Sequence, residues 1–277
     1  MASLAEQIDR ILHGEELQIM EHCCEGEFAV LATSIDKMVQ RMLEQQSILQ
    51  KEKVFLADSM ADISHQMKTP LTSISLLLNL LQEEHLSEKK RLQYVQDLMK
   101  LTGRIDWMVY ALLRLAKLDA GTVQLQQIPY QIEDLIKAAV TPLEIALDIR
   151  DITLEVQIQP DLQHRGDISW MTEAVSNILK NCMEHTPSGG HIRIVTKDNP
   201  LYLLIKITDS GSGFTKQDLP HIFERFYRGQ NADTDSVGIG LALAKRIIIA
   251  QNGTIRAYNH KKDGGAVFEI RMYKGAV

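Results

Sequence analysis

The chain has 277 residues, 45% hydrophobic and 24% charged, enough apolar material for one large domain or two modest ones, each with its own core. A formal net charge of -6 and a pI near 5.9 exclude the broad basic surface that non-specific nucleic-acid binding needs, so no nucleic-acid partner is expected. Cys23, Cys24 and Cys182 form neither a CxxC pair nor an even disulfide framework, and no apolar run approaches the roughly 18 to 20 residues of a membrane span.

In chain order, Met1–Arg10 lack a signal-peptide pattern. Apolar residues then recur at spacings of three and four through Phe28, Leu31, Ile35, Met38 and Met42, and again through Leu49, Leu56, Met60, Ile63, Met67, Ile74, Leu77 and Leu81. This is a coiled-coil seam, interrupted by Gln45, Glu52 and Pro70. A turn is expected over Glu83–Glu88, and a second seam follows through Val95, Leu98, Thr102, Ile105, Val109, Leu112 and Ala116, ending near Gly121. Two such helices make an antiparallel helical hairpin. One hairpin exposes too much apolar surface to stand alone, so two chains are expected to pair as a homodimer with a dimeric four-helix bundle.

From Ile128 the pattern changes. A helix is predicted over 132–147, an alternating strand over 152–158, and a helix from Ile168 to Glu184 capped by Asp167. Strands over 191–197, 201–208, 254–259 and 266–272, with a helix over 241–250, complete a mixed α/β sandwich. The stretch from Gly213 to Gly238 is too long for an ordinary connection and reads as a lid.

On the first helix, at about 100° per residue, His65 points about 200° away from Ile63 and so away from the seam. Pro70, five residues on, has no N–H, which leaves the Gln66 carbonyl without its helical donor and predicts a kink beside His65. In the second domain Asn177 and Asn181 stand one turn apart on one helix face. Asp209-Ser210-Gly211-Ser212-Gly213 follows a strand directly, where Gly211 and Gly213 permit a tight turn and the acid can accept a hydrogen bond from an amino group. Ile222-Phe223-Glu224-Arg225-Phe226-Tyr227-Arg228 combines anchoring aromatics with two arginines. Gly238-Ile239-Gly240-Leu241 opens a helix whose backbone amides suit phosphate oxygens.

Ser64-His65-Gln66-Met67-Lys68-Thr69-Pro70-Leu71-Thr72 resembles the H-box of bacterial two-component sensor histidine kinases of the HisKA type. The four later motifs resemble, in order, that family's N-box, G1 box, F-box and G2 box, with Asp235, Ser236 and Val237 where many relatives carry a further glycine. The resemblance spans about Phe55 to Met272. It implies an α+β chain in which the helical hairpin of the dimeric four-helix bundle is followed by an α/β sandwich (GHKL/Bergerat-type) ATP-binding domain. The expected boundaries are 1–53 for a signal-relay helix or HAMP-like linker, 54–122 for dimerisation and histidine phosphotransfer, and 123–277 for the catalytic domain.

By the same resemblance His65 is the phospho-acceptor, Asp209 reads the adenine amino group, Asn181 is a Mg2+ ligand, and Asn177, Gly211, Gly213, Arg225, Arg228, Gly238, Gly240 and Leu241 bind ATP. The partners implied are a second copy of the chain and a response-regulator receiver domain. The chain would be the cytoplasmic portion of a protein held in the cell membrane through an upstream segment absent from this sequence. Gln66 stands where relatives commonly carry Glu or Asp; it cannot be a general base but can accept a ring N–H hydrogen bond. Thr69 matches a position that in many relatives orients water for dephosphorylating the regulator. Leu76 and Leu80 lie off the seam, where they serve either regulator docking or packing on the second helix. Two other readings stand beside the kinase: a GHKL-fold ATPase such as a chaperone or topoisomerase module, and an ATP-binding signalling scaffold without phosphotransfer.

Overall fold

The computed structural model describes residues 27–83, 86–229, 237–260 and 264–274. Cys23, Cys24 and the first half of the expected relay segment lie outside the described residues, as do His85 of the expected turn and Asp235 and Ser236 of the expected lid. Helix α1 spans Glu27–Leu81, and the chain divides into two compact units between Asp62 and Ile63. In the first unit the seam residues Met38, Met42, Leu49 and Met60 are all exposed.

In the second unit, helix α2 spans Glu88–Asp119 and stops where Gly121 adopts a φ of +62°, the left-handed conformation that terminates helices. Pro70 sits inside α1, flanked by hydroxyls that bond back to helix carbonyls four residues earlier: Thr69 to His65, Thr72 to Lys68, Ser73 to Thr69 and Ser75 to Leu71. Such back-bonds compete with the backbone ladder and soften a helix. Ser73 of α1 lines one cavity with Asp97, Lys100, Leu101, Gly103 and Arg104 of α2.

Helix α2 carries two apolar stripes. Met108, Ala111, Leu115 and Leu118 are buried, and α2 packs on the helix Gly240–Ala250. In the adjacent stripe read from the sequence Val95 and Val109 are exposed, while Leu98, Ile105 and Leu112 are half-buried and Leu112 packs on the core. The two stripes lie about 100° apart and merge in a one-dimensional pattern, so the sequence periodicity shows only the second.

Beyond α2 come β1 (Ile128–Gln131), α3 (Ile132–Val140), a 3-10 turn (Thr141–Leu143), α4 (Glu144–Ile149), β2 (Thr153–Gln157), β3 (Gln163–Gly166), α5 (Ile168–His185), β4 (His191–Asp198), β5 (Tyr202–Asp209), α6 (Gly240–Ala250), β6 (Gly253–Asn259) and β7 (Ala266–Tyr273). The five-stranded sheet has order β2-β4-β5-β7-β6, with β2 and β4 parallel and the other pairs antiparallel. Alternation on β4 and β5 puts Ile192, Ile194, Leu203, Ile205, Ile207 and Asp209 on the buried face. Helices α3, α5 and α6 form the second layer, α5 burying Met171, Ala174, Val175, Ile178, Leu179, Cys182 and Met183 at helical spacing.

The sequence reading joined 132–147 into one helix. Pro142 breaks it into two helices joined by a 3-10 turn, since proline offers no N–H to the helical ladder. The pair β1–β3 was not foreseen; four-residue strands are too short to show alternation. Asp167 caps α5 as expected, accepting from the N–H groups of Ser169 and Trp170 at 3.1 and 3.2 Å. Among the described residues no helix is long and apolar enough to cross a membrane.

Candidate functional site

A cavity of about 740 Å³ lies between α2 and the α/β half, within the second unit. Asn177 and Asn181 of α5 face it, the apolar stripe of that helix being spent on the sheet. Its other walls include Asp209, Gly213, Arg228, Gly238, Gly240 and Leu241, so four motifs separated by up to 64 positions in the chain converge on one space.

Asp209 ends β5 and is 3% exposed. Its Oδ1 accepts the Gly211 N–H at 2.9 Å and the Ala266 N–H at 3.0 Å, which locks the carboxylate's orientation. Cys182 is fully buried beside it; burial pushes the thiol up, and the Asp209 charge and a hydrogen bond to that carboxylate add to the effect, so the sulfur stays protonated. Gly211 does not line the cavity but shapes the turn, because a Cβ there would stand 2.4 Å from the His185 carbonyl oxygen. At Gly238, φ is +75° and a Cβ would stand 2.5 Å from the Tyr227 carbonyl oxygen. That carbonyl segment is pinned in turn by the Phe226 N–H, which donates to Gly238 O at 2.9 Å.

The aromatic cluster read as a lid anchor is anchored: Phe214 and Phe223 meet Phe268 edge-on at 5.7 and 6.5 Å between ring centroids. The Tyr227 hydroxyl donates to Asp218 Oδ1 at 2.7 Å. The two arginines separate. Arg228 lines the cavity, whereas Arg225 does not; its guanidinium pairs with Asp119 at the end of α2, and Arg246 of α6 pairs with the same carboxylate at 2.7 Å.

His65 is exposed on α1, as its angle from the seam predicted, and Gln66 is half-buried. Neither they nor Thr69 line the cavity; the Thr69 hydroxyl is directed to the His65 carbonyl at 3.4 Å, while Ser73, two turns along, does reach the cavity wall. Among the described residues no group of three or more His, Cys, Asp or Glu could hold a metal ion. The donors present, the carboxamides of Asn177 and Asn181, fit a Mg2+ that arrives with phosphate ligands and needs one or two protein oxygens.

Sequence reasoning missed the α2 wall, made of Asp97, Lys100, Leu101, Arg104 and Trp107. Charged residues at helical spacing read as a solvated face unless the partner surface is known. Further along, α2 is fastened to α5: the Arg114 guanidinium lies 4.0 Å over the Trp170 ring and 3.1 Å from Glu173, whose pKa burial raises against the opposing pull of Arg114.

The His Kinase A (phospho-acceptor) domain family matches residues 56–121, and the family described as Histidine kinase-, DNA gyrase B-, and HSP90-like ATPase matches residues 166–275. The heme sensor protein HssS of Staphylococcus saprophyticus is 28% identical over 271 residues, 98% of this chain and 56% of that protein. The sensor protein SphS of Synechococcus elongatus is 32% identical over 76% of this chain and 53% of its own length. The chain thus spans about half the length of the curated relatives it matches. In fold it is similar to the histidine kinase AdeS of Acinetobacter baumannii, with a TM-score of 0.62 and 19% identity over 76% of this chain and 98% of that one. It is also similar to the histidine kinase ThkA in its complex with the response regulator protein TrrA, with a TM-score of 0.67 and 18% identity over 84% and 66% of the two chains. With a phospho-acceptor domain and a histidine-kinase-like ATPase domain in sequence, together covering more than half of its length, the chain belongs to the two-component sensor histidine kinases.

Proposed function

We propose that this chain binds ATP with Mg2+, transfers the γ-phosphoryl group to His65, and passes it on to an aspartate of a response-regulator receiver domain. The observation that carries the reading is the convergence of Asn177, Asn181, Asp209, Arg228 and the Gly238–Leu241 turn on one cavity, in a chain that also presents His65 exposed on α1. Asp209 Oδ2 would take the adenine amino group, and the amides opening α6 would take phosphate oxygens. Mg2+, held by Asn181 and the phosphates, would neutralise charge building on the transferring group.

An imidazole nitrogen of His65 attacks the γ-phosphorus in line; the N–P bond forms as the bond to the ADP oxygen breaks, and the ring proton leaves to water. Gln66 would accept the other ring N–H and fix the tautomer, without taking the proton. His65 does not line the cavity, so transfer requires the catalytic domain to move along its own hairpin or to serve the histidine of a second copy. The exposed Val95, Met99, Val109 and Leu113 of α2 support a homodimer that covers them. Leu76 is 59% exposed, available to a regulator helix, and ThkA's complex with TrrA supports that class of partner. Thr69 is the residue we assign to any regulator dephosphorylation. We place the domain limits at 54–122 and 123–277, with 1–53 as relay, and the longer protein at the cell membrane, as the sensor names of its relatives suggest.

The test is incubation with γ-labelled ATP and Mg2+, comparing wild type with His65→Ala and Asn181→Ala, followed by acid treatment. Acid-labile label on wild type alone supports the kinase. Tight ATP binding with no label would favour the scaffold.

A further inference from the structure

We propose that helix α2 is itself part of the nucleotide site, with Lys100 and Arg104 acting as ligands of the polyphosphate; this rests on the reading of the cavity as an ATP site. Residues 97, 100, 101, 104 and 107 all line the cavity, and their spacings of three and four make them one continuous stripe along α2. From Trp107 onward α2 is held against α5. The Lys180 ammonium lies 5.3 Å from the Trp107 ring centroid, and Arg114, two turns further, pairs with Glu173 at 3.1 Å. Helix α2 therefore runs antiparallel to α5, and the turn before Trp107, which carries Arg104, lies beside the end of α5 that carries Asn181 and Glu184. This is the phosphate and magnesium end of the cavity.

Charge gives the stripe its purpose. The cavity's remaining walls carry two permanent cations, Lys180 and Arg228, against three carboxylates, Glu184, Asp209 and Asp218. That is a poor receptor for a triphosphate. Helix α2 adds Lys100 and Arg104 against Asp97 alone. Arg104 Nε is buried in the wall, whereas the Lys100 side chain is 77% exposed and lies 3.9 Å from Asp97 one turn away, an exposed ion pair weak enough for an incoming polyphosphate to displace. Because these cations come from the hairpin, bound triphosphate would tie the hairpin to the catalytic domain, and cleavage to the diphosphate would loosen the tie.

The test uses the full 277-residue chain and titration calorimetry with a non-hydrolysable ATP analogue, ADP and adenosine, each with Mg2+. Arg104→Ala combined with Lys100→Ala is expected to weaken the ATP analogue about tenfold or more, ADP less, and adenosine not at all. Arg104→Lys should restore most of the loss. Lys100→Glu, a change at an exposed side chain that leaves the fold intact, should lower triphosphate affinity selectively and decides the matter if the double variant fails to fold. Equal losses on all three ligands, or none on any, would overturn the α2 contribution. Wild type that binds no nucleotide would instead overturn the ATP site as a whole, and wild type whose binding depends on Asp209 but not on Lys100 or Arg104 would overturn this inference alone.

Discussion

Replacing Asp209 by Asn changes one atom's chemistry at the most constrained carboxylate of the site. Oδ1 accepts two backbone N–H bonds, at 2.9 Å from Gly211 and 3.0 Å from Ala266, and Asn offers the same oxygen to both donors. Those bonds fall from charge-assisted to neutral, a loss of about 1 kcal/mol each, so the variant should fold with stability lowered by about 2 kcal/mol. Under the proposed adenine contact, the other position becomes an NH2 donor opposite the adenine amino group, which is also a donor. A charged hydrogen bond worth about 1.5–3 kcal/mol is lost and a buried donor is left opposite another, so ATP affinity should drop about 10- to 150-fold. A guanine nucleotide presents a carbonyl there and should lose nothing or gain. Titration calorimetry with ATP and GTP analogues reads the affinities, and urea unfolding reads the stability. Binding of the ATP analogue within twofold of wild type by a folded variant would refute the assignment of Asp209 to adenine.

Arg114→Ala removes the cation stacked on Trp170 and leaves Glu173 half-buried without its ion pair, a cost of about 2–3 kcal/mol in urea unfolding; most of it should vanish in the Glu173→Gln background. Gly238→Ala forces a side chain onto a φ of +75° with the Tyr227 carbonyl in its way, so nucleotide affinity should fall at least tenfold in calorimetry with a stability loss of about 1–3 kcal/mol. Burial, helped by the Lys274 charge, lowers the His164 pKa in the folded chain. The unfolded chain therefore binds the proton more readily: this contribution to stability is present above about pH 6.5, declines as pH falls through that value, and levels off below the lowered folded value. His164→Gln should flatten the urea-derived stability curve between pH 5 and 7, and an unchanged slope would show that His164 does not set it.

Much of this protein is written locally. The three-and-four spacing of Met60, Ile63, Met67 and Ile74 requires a helix, Gly121 ends α2 by the conformation glycine alone adopts freely, Asp167 caps α5 through its own short side chain, and alternation on Leu203, Ile205 and Ile207 requires a half-buried strand. The motif residues were legible for the same reason: turns at Gly213 and Gly238 and a carboxamide pair one turn apart depend on a few neighbouring positions. What tertiary structure decided is the company those residues keep. It parted Arg225 from Arg228 by giving the first to Asp119, held His65 outside the cavity while bringing Ser73 to it, and turned the Asp97–Trp107 stripe of α2 from an apparent solvated face into a wall of the site. No local pattern encodes these outcomes, because each is set by a surface complementary to the helix and contributed by chain distant in sequence.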